Sequence, residues 1–117
     1  MVSILAQRNA MATAYGVAAP YGAMFTATPG TTGAATNECT GGSPAYNRKA
    51  MSWGAASASA IVGAPTFDIA SGTTVTYTGV CVSVTPTTAD VRDAVAVTSQ
   101  AFSSQGTYAL TATYTQS

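Results

Sequence analysis

The chain has 117 residues and 11.6 kDa, with four Lys+Arg, four Asp+Glu and no His, giving a formal net charge of zero. Only 7% of residues are charged, against roughly a quarter in an ordinary soluble protein, so long-range steering toward nucleic acid, anionic membranes or acidic substrates is excluded. The apolar 47% is dominated by Ala, with three Phe, one Trp and six Tyr as large anchors, which predicts a thin core whose fold is stabilised by association.

Residues 3–15 read as a short helix. Ser3 is the N-cap, Ile4, Arg8, Met11 and Tyr15 share a face, and Gly16 is the stop. From Tyr21 the period becomes two, and Ala23, Phe25 and Ala27 alternate with Met24, Thr26 and Thr28 as in a half-buried strand. Residues 29–44, rich in Gly, Pro and small hydroxyl side chains, make a long loop. A loop of this length suits a contact surface. Tyr46 to Trp53 reads as a strand with Met51 and Trp53 inward, and Thr66 to Ile69 as another with Asp68 outward.

Ser71-Gly72 is a turn, and Thr73 to Thr85 is the strongest strand pattern. Val75, Tyr77, Gly79 and Cys81 share one of its faces. The other turns apolar from Val80 through Val82 and Val84, which predicts cover on both sides, until Pro86 ends the strand. Residues 94–98 form a further strand, and after the turn at 103–106 residues 107–115 close the chain. The pattern predicts an all-β fold, an antiparallel β-sandwich (jelly-roll or Ig-like), with a short N-terminal helix or extended arm. Residues 1–20 are the arm and 21–117 the β-domain. The expected core is Phe25, Met51, Trp53, Phe67, Ile69, Val75, Tyr77, Val95, Leu110 and Tyr114.

Catalytic chemistry finds little to work with. Without His no serine has an activating base, and Gly41-Gly42-Ser43 lacks the Lys of a phosphate loop. The acids are Glu38, Asp68, Asp90 and Asp93. Asp90-Val91-Arg92-Asp93 reads as a solvated turn with local ion pairing, and Lys49, next to Arg48, as a charge guarding a strand edge. Cys39 and Cys81 without His make no zinc site and read as two packed thiols. The sequence therefore predicts no enzyme activity, no catalytic residue, no cofactor and no metal. Nor does it show a basic leader or a stretch approaching the ~20 apolar residues of a membrane helix, which points to assembly in a cytoplasm.

One block carries a family likeness: Asn37-Glu38-Cys39-Thr40-Gly41-Gly42-Ser43-Pro44-Ala45-Tyr46-Asn47-Arg48-Lys49. It is followed in order by Trp53-Gly54-Ala55-Ala56-Ser57, Thr66-Phe67-Asp68, Gly72-Thr73-Thr74-Val75-Thr76 and Gln105-Gly106-Thr107-Tyr108. In these blocks the chain resembles small virion structural proteins of tailed phages that infect actinobacteria, described as tail-fibre, minor tail or head proteins. The likeness runs from about Tyr21 to Tyr114. It departs from the family pattern at Cys39, where Val is usual, at Asn47, where Ala is usual, and at Cys81-Val82-Ser83-Val84, which replaces a more aromatic, Gly-rich segment.

The resemblance implies a virion component and supplies no catalytic residue. With the low surface charge it leads to the expectation of a capsid-surface decoration or stabilising protein. Its expected partners are the major capsid protein and sister copies in a homotrimer, with no nucleic acid and no membrane. A minor tail or tail-fibre protein, or a host-receptor or glycan-binding module, is the alternative.

Overall fold

A computed structural model describes residues 4–85 and 90–116. The chain is mostly β, with antiparallel sheets and one N-terminal helix, α1 (Leu5–Ala18). The strands are β1 (Tyr21–Phe25), β2 (Lys49–Ala50), β3 (Ala60–Gly63), β4 (Thr66–Ile69), β5 (Thr73–Cys81), β6 (Val91–Phe102), β7 (Gly106–Ala109) and β8 (Ala112–Thr115). A four-stranded sheet runs in the order β2-β1-β5-β6, while β3 pairs with β8 and β4 with β7. The body is elongated, 49 × 25 × 22 Å.

The central sheet is covered on both faces. Met24 of β1 and Val75 and Val80 of β5 pack with Met51, Phe67, Ile69, Phe102 and Leu110. The neighbouring residues Ala23, Phe25 and Cys81 pack on the opposite side with Val91, Tyr77 and Ala35. Close approach at the crossing needs glycine. A Cβ at Gly22 would sit 2.6 Å from Met51 Sδ and 3.0 Å from Phe67 Cζ.

The helix is longer than the sequence pattern predicts. It runs through Gly16 to Ala18, because Gly16 is buried where a side chain would meet Ile61 and Trp53, both 3.0 Å from an added Cβ. Only Ala12 and Gly16 of α1 are buried. Asn9 Oδ1 accepts from Ser59 N, the Tyr15 ring stacks on Tyr114 with centroids 3.7 Å apart, and Trp53 Nε1 donates to the Ala19 carbonyl. Ser3, the expected cap, lies outside the described residues, and Ile4 in the cap position makes no side-chain cap bond.

Several strand expectations are corrected. The strand expected over 46–53 shrinks to Lys49–Ala50, since the chain there is held by side chains rather than by a ladder. The strand expected over 73–85 stops at Cys81, and Val82 and Val84 are 39% and 51% exposed rather than covered. The stop expected at Pro86 lies outside the described residues. Residues 107–115 form two strands broken at Leu110, whose N–H bonds to the Pro65 carbonyl as the chain changes partner from β4 to β3.

The expected strand at 94–98 extends to the twelve residues of β6, and Val95, expected in the core, is 61% exposed on this edge strand. Register irregularities between Val75 and Tyr77 and between Val80 and Cys81 offset β6 against β5. In keeping with the first, Val75 joins one core cluster and Tyr77 the other, although alternation predicts a shared face. Of the other expected core residues, Trp53, Tyr77 and Tyr114 are half-buried and Phe25, Met51, Phe67, Ile69, Val75 and Leu110 are buried.

Candidate functional site

The block at 37–49 holds a dense network of polar side chains. It begins where the long loop returns to β1. Thr26 N bonds to the Asn37 carbonyl at 2.9 Å and Cys39 N to the Met24 carbonyl at 3.0 Å, so residues 37–39 extend the sheet beyond β2. Asn37 adopts φ 64°, a region that Asn tolerates, and its Nδ2 donates to the Thr28 carbonyl at 3.1 Å. The loop is thereby pinned over the Phe25 face, while residues 30–32 and 40–44 remain exposed. Pro29 and Cys39 are buried, and Val91 N donates to the Gly33 carbonyl.

The Gly-Gly-Ser-Pro turn then reverses the chain. Gly41 and Gly42 have φ of 80° and 100°, and the Ser43–Pro44 peptide is cis. Gln105, from the late Gln-Gly-Thr-Tyr block, reads this turn with its amide: Ser43 N donates to Oε1 at 3.1 Å, and Nε2 donates to the Pro44 carbonyl at 3.2 Å. A Cβ at Gly42 would lie 2.6 Å from Gln105 Oε1, so two sequence blocks far apart in the chain form one structural joint.

Tyr46 and Arg48 are the payload of that turn. The Tyr46 hydroxyl accepts from Met24 N at 3.0 Å and donates to Glu38 Oε2 at 2.8 Å. Arg48 is 3% exposed. It forks onto Glu38, with Nε to Oε2 at 2.9 Å and Nη2 to Oε1 at 2.8 Å, a bidentate geometry for which a planar guanidinium is suited. Its Nη1 donates to Asp90 Oδ2 and to the Ser83 carbonyl. Ser83 Oγ lies 2.7 Å from Asp90 Oδ2, and Val82 N bonds to the Asp90 carbonyl. One guanidinium therefore ties together the end of the long loop, the cis-proline turn and the segments flanking residues 86–89.

This arrangement corrects two readings from the sequence. Asp90 is not part of a solvated cluster, being 6% exposed and paired with the buried Arg48. Residues 91–93 lie in β6 rather than in a turn, and Asp93 Oδ2 accepts the Tyr15 hydroxyl at 3.0 Å. Lys49 has a partner, Asp68 Oδ2 at 3.8 Å, across the half-exposed surface. The Arg48 partners escaped the sequence reading because Asp90 lies 42 positions away. The available signal was the block itself, in which an acid, a Tyr and an Arg recur around a rigid turn.

The two thiols and the Tyr46 phenol at this cluster are held in their protonated forms. Burial, followed by the charge of Glu38, pushes the Cys39 thiol up to about 11. Burial pushes Cys81 up to about 12 against the opposing pull of Arg48. Burial also raises the Tyr46 phenol well above its ordinary range. Both cysteines are buried free thiols, and a protonated thiol is a poor nucleophile. A cleft of about 350 Å3 opens beside the cluster, lined in part by Cys39, Tyr46, Arg48 and Val84. Three of its polar side chains, Glu38, Tyr46 and Arg48, already bond to one another. Among the described residues no three His, Cys, Asp or Glu side chains are grouped to hold a metal ion, and no helix is long and apolar enough to cross a membrane. The chemistry on offer is that of a clamp. Comparisons with protein-family models, with curated proteins and with solved structures find no match to this chain.

Proposed function

We propose that the chain is a non-enzymatic structural protein of a tailed-phage virion, most specifically a capsid-surface decoration or stabilising protein. In this reading its sheets form a β-sandwich of jelly-roll or Ig-like type, and it acts as a homotrimer on the major capsid protein. One observation carries the reading: charged side chains are few, and three of the eight are held in a buried clamp. Of eight charged residues, Glu38, Arg48 and Asp90 form the buried clamp, and Lys49 pairs with Asp68. The remaining surface carries only Arg8, Lys49, Asp68, Arg92 and Asp93 as exposed or half-exposed charges, while Val17, Val84 and Val95 stand open to solvent. Depletion of charge with retained apolar side chains is the composition of surfaces covered by neighbours. The clamp supports the same reading, because a protein of a particle lattice benefits from loops fixed before assembly.

A minor tail or tail-fibre protein is the alternative that shares this surface. A receptor or glycan module is the weaker reading. Its aromatic candidates, Tyr15 and Tyr114, are stacked on each other, and the Tyr15 hydroxyl already engages Asp93. The test is quantitative mass spectrometry of separated heads and tails from particles carrying this chain. Recovery with heads, in fixed ratio to the major capsid protein, is the expected result. Recovery with tails transfers the protein to the alternative, and absence from the particle overturns the virion reading.

A further inference from the structure

Aromatic side chains from α1, from the segment before β3 and from β8 converge on one cleft. Tyr15, Trp53 and Tyr114 line a space of about 250 Å3 together with the buried Thr78, Val80 and Leu110. The Tyr15 and Tyr114 rings lie parallel with centroids 3.7 Å apart, and Trp53 stands at 74° to Tyr15 with centroids 6.2 Å apart. The polar tip of each ring is already engaged. Tyr15 donates its hydroxyl to Asp93 Oδ2 at 3.0 Å, Tyr114 to Gln116 Oε1 at 2.7 Å, and the Trp53 indole N–H to the Ala19 carbonyl at 3.0 Å. The Thr78 hydroxyl likewise donates to the Ala23 carbonyl. Only Thr113 adds a further hydroxyl to the lining. These aromatic residues therefore offer a ligand their rings rather than their donors.

Asp93 is the one charged residue on the lining. It is also the one acid of four without a cation. Glu38 and Asp90 share Arg48, and Asp68 faces Lys49, whereas among the described residues no Lys or Arg reaches Asp93 within ion-pair distance. Its Oδ1 accepts from Ala94 N at 2.9 Å and its Oδ2 from Tyr15, which fixes the carboxylate beside the rings. Each carboxylate oxygen can accept a second time. Burial, followed by the charge of Asp93, raises the Tyr15 phenol above its ordinary range, so the aspartate is the only charge at the cleft.

We infer that this cleft binds a small organic cation of the alkylammonium class, its alkyl groups against Tyr15, Trp53 and Tyr114 and its charge facing Asp93. Aromatic rings attract such a cation through their electron-rich faces, and its alkyl shell asks for no hydrogen-bond donor. A neutral sugar is the poorer match, because the donors it needs are bonded within the protein. A bare metal ion finds no group of three His, Cys, Asp or Glu among the described residues. Cavities for drug-sized ligands run from roughly 300 to 1,000 Å3, so this smaller cleft suits a head group.

The chain has a single Trp, so emission from Trp53 reports on this cleft. The experiment titrates the full chain with choline chloride, reading Trp53 emission and saturation transfer to the choline methyl protons. Sodium chloride at equal concentration and the neutral isostere of choline, with carbon in place of nitrogen, are the controls. Saturable binding of choline at about millimolar concentration is expected, with clearly weaker binding of the isostere. Asp93→Asn keeps the shape of the side chain, removes its charge and should weaken choline binding about threefold to fivefold. Asp68→Asn makes the same change in net charge beside Lys49 and should bind choline as the wild type does. Asp93 is exposed and Asp68 half-exposed, so both variants are expected to fold, which circular dichroism checks. Absence of saturable choline binding in both readings overturns the inference. So does equal binding of the isostere, or an Asp93→Asn variant that binds like Asp68→Asn. If Asp93→Asn does not fold, choline against its isostere on the wild-type chain decides. The measurement uses the free chain, and mass spectrometry of particles tests the virion assignment separately.

Discussion

The ring of Phe25 fills the space left by the missing side chain of Gly79. A Cβ at position 79 would lie 2.9 Å from Phe25 Cε2 and 2.8 Å from the Asp93 carbonyl. The backbone carbonyl cannot move without disturbing the β5–β6 ladder, so Gly79→Ala is expected to destabilise the fold by about 1–3 kcal/mol. Gly54→Ala is the matched control, since its nearest contact is the Val62 carbonyl at an ordinary 3.8 Å. Urea unfolding at unchanged slope reads the difference.

Removal of Arg48 takes their shared cation from two buried carboxylates, Glu38 and Asp90. Arg48→Ala is expected to lower stability by about 3–5 kcal/mol, the usual consequence of breaking a buried pair from one side. Arg48→Lys restores the charge but not the fork onto Glu38, so it recovers only part of the loss. A double-mutant cycle with Glu38→Gln should show strong coupling between the two positions. Additive effects would show that the clamp contributes nothing as a unit.

The thiols give the fold an alkaline limit. Cys39 and Cys81 are raised to about 11 and about 12 in the native chain, against an ordinary value near 9. Between those values the unfolded chain has lost protons that the native chain retains, so stability falls as pH rises. The free energy of unfolding should be level from pH 7 to 8, decline from about pH 9, and flatten only above the native values. Replacing both cysteines by Ala should postpone the decline. At pH 8 a thiol reagent should label neither residue until denaturant is added, and rapid labelling of the native chain would refute their burial.

A tight turn offers a gain in stability. Ala58 and Ser59 occupy the left-handed region, with φ of 50° and 68°, between the bridged residues Ser57 and Ala60. Hairpin turns of this form favour Asn or Gly because a Cβ is disfavoured there. Ala58→Gly should therefore raise stability by about 0.5–1 kcal/mol, seen as a higher urea midpoint. An unchanged or lower midpoint would show that the turn is not strained.

The sequence pattern carried β1, β4, the start of β5 and the turn at Ser71-Gly72 because each is a short stretch in which alternation or turn chemistry acts locally. It failed where the deciding contact is distant. Val95 reads as core by alternation, yet β6 is an edge strand, which pairing order alone decides. Gly16 reads as a helix stop, but its role is to admit Trp53 and Ile61. The two-residue switch between core clusters at Val75 and Tyr77 coincides with a register shift against β6 that no composition signals. In the clamp, Glu38, Tyr46 and Arg48 stood together in a visible block, whereas Asp90 was separated from it by β5 and could not be joined to it by local pattern.

The pairing of β3 with β8 and of β1 with β5 has a kinetic consequence. Ile61 lies opposite Tyr114 and Tyr21 opposite Cys81, so both ladders close large loops before they return any stabilisation. Topologies dominated by such distant pairs fold in about milliseconds to seconds, slower than helical domains of similar size. During synthesis β3 and β4 emerge long before their partners β8 and β7, and α1 precedes Tyr114, on which Tyr15 stacks. The nascent chain must therefore remain open until the residues of β8 leave the ribosome, and the whole structure then condenses in one late step.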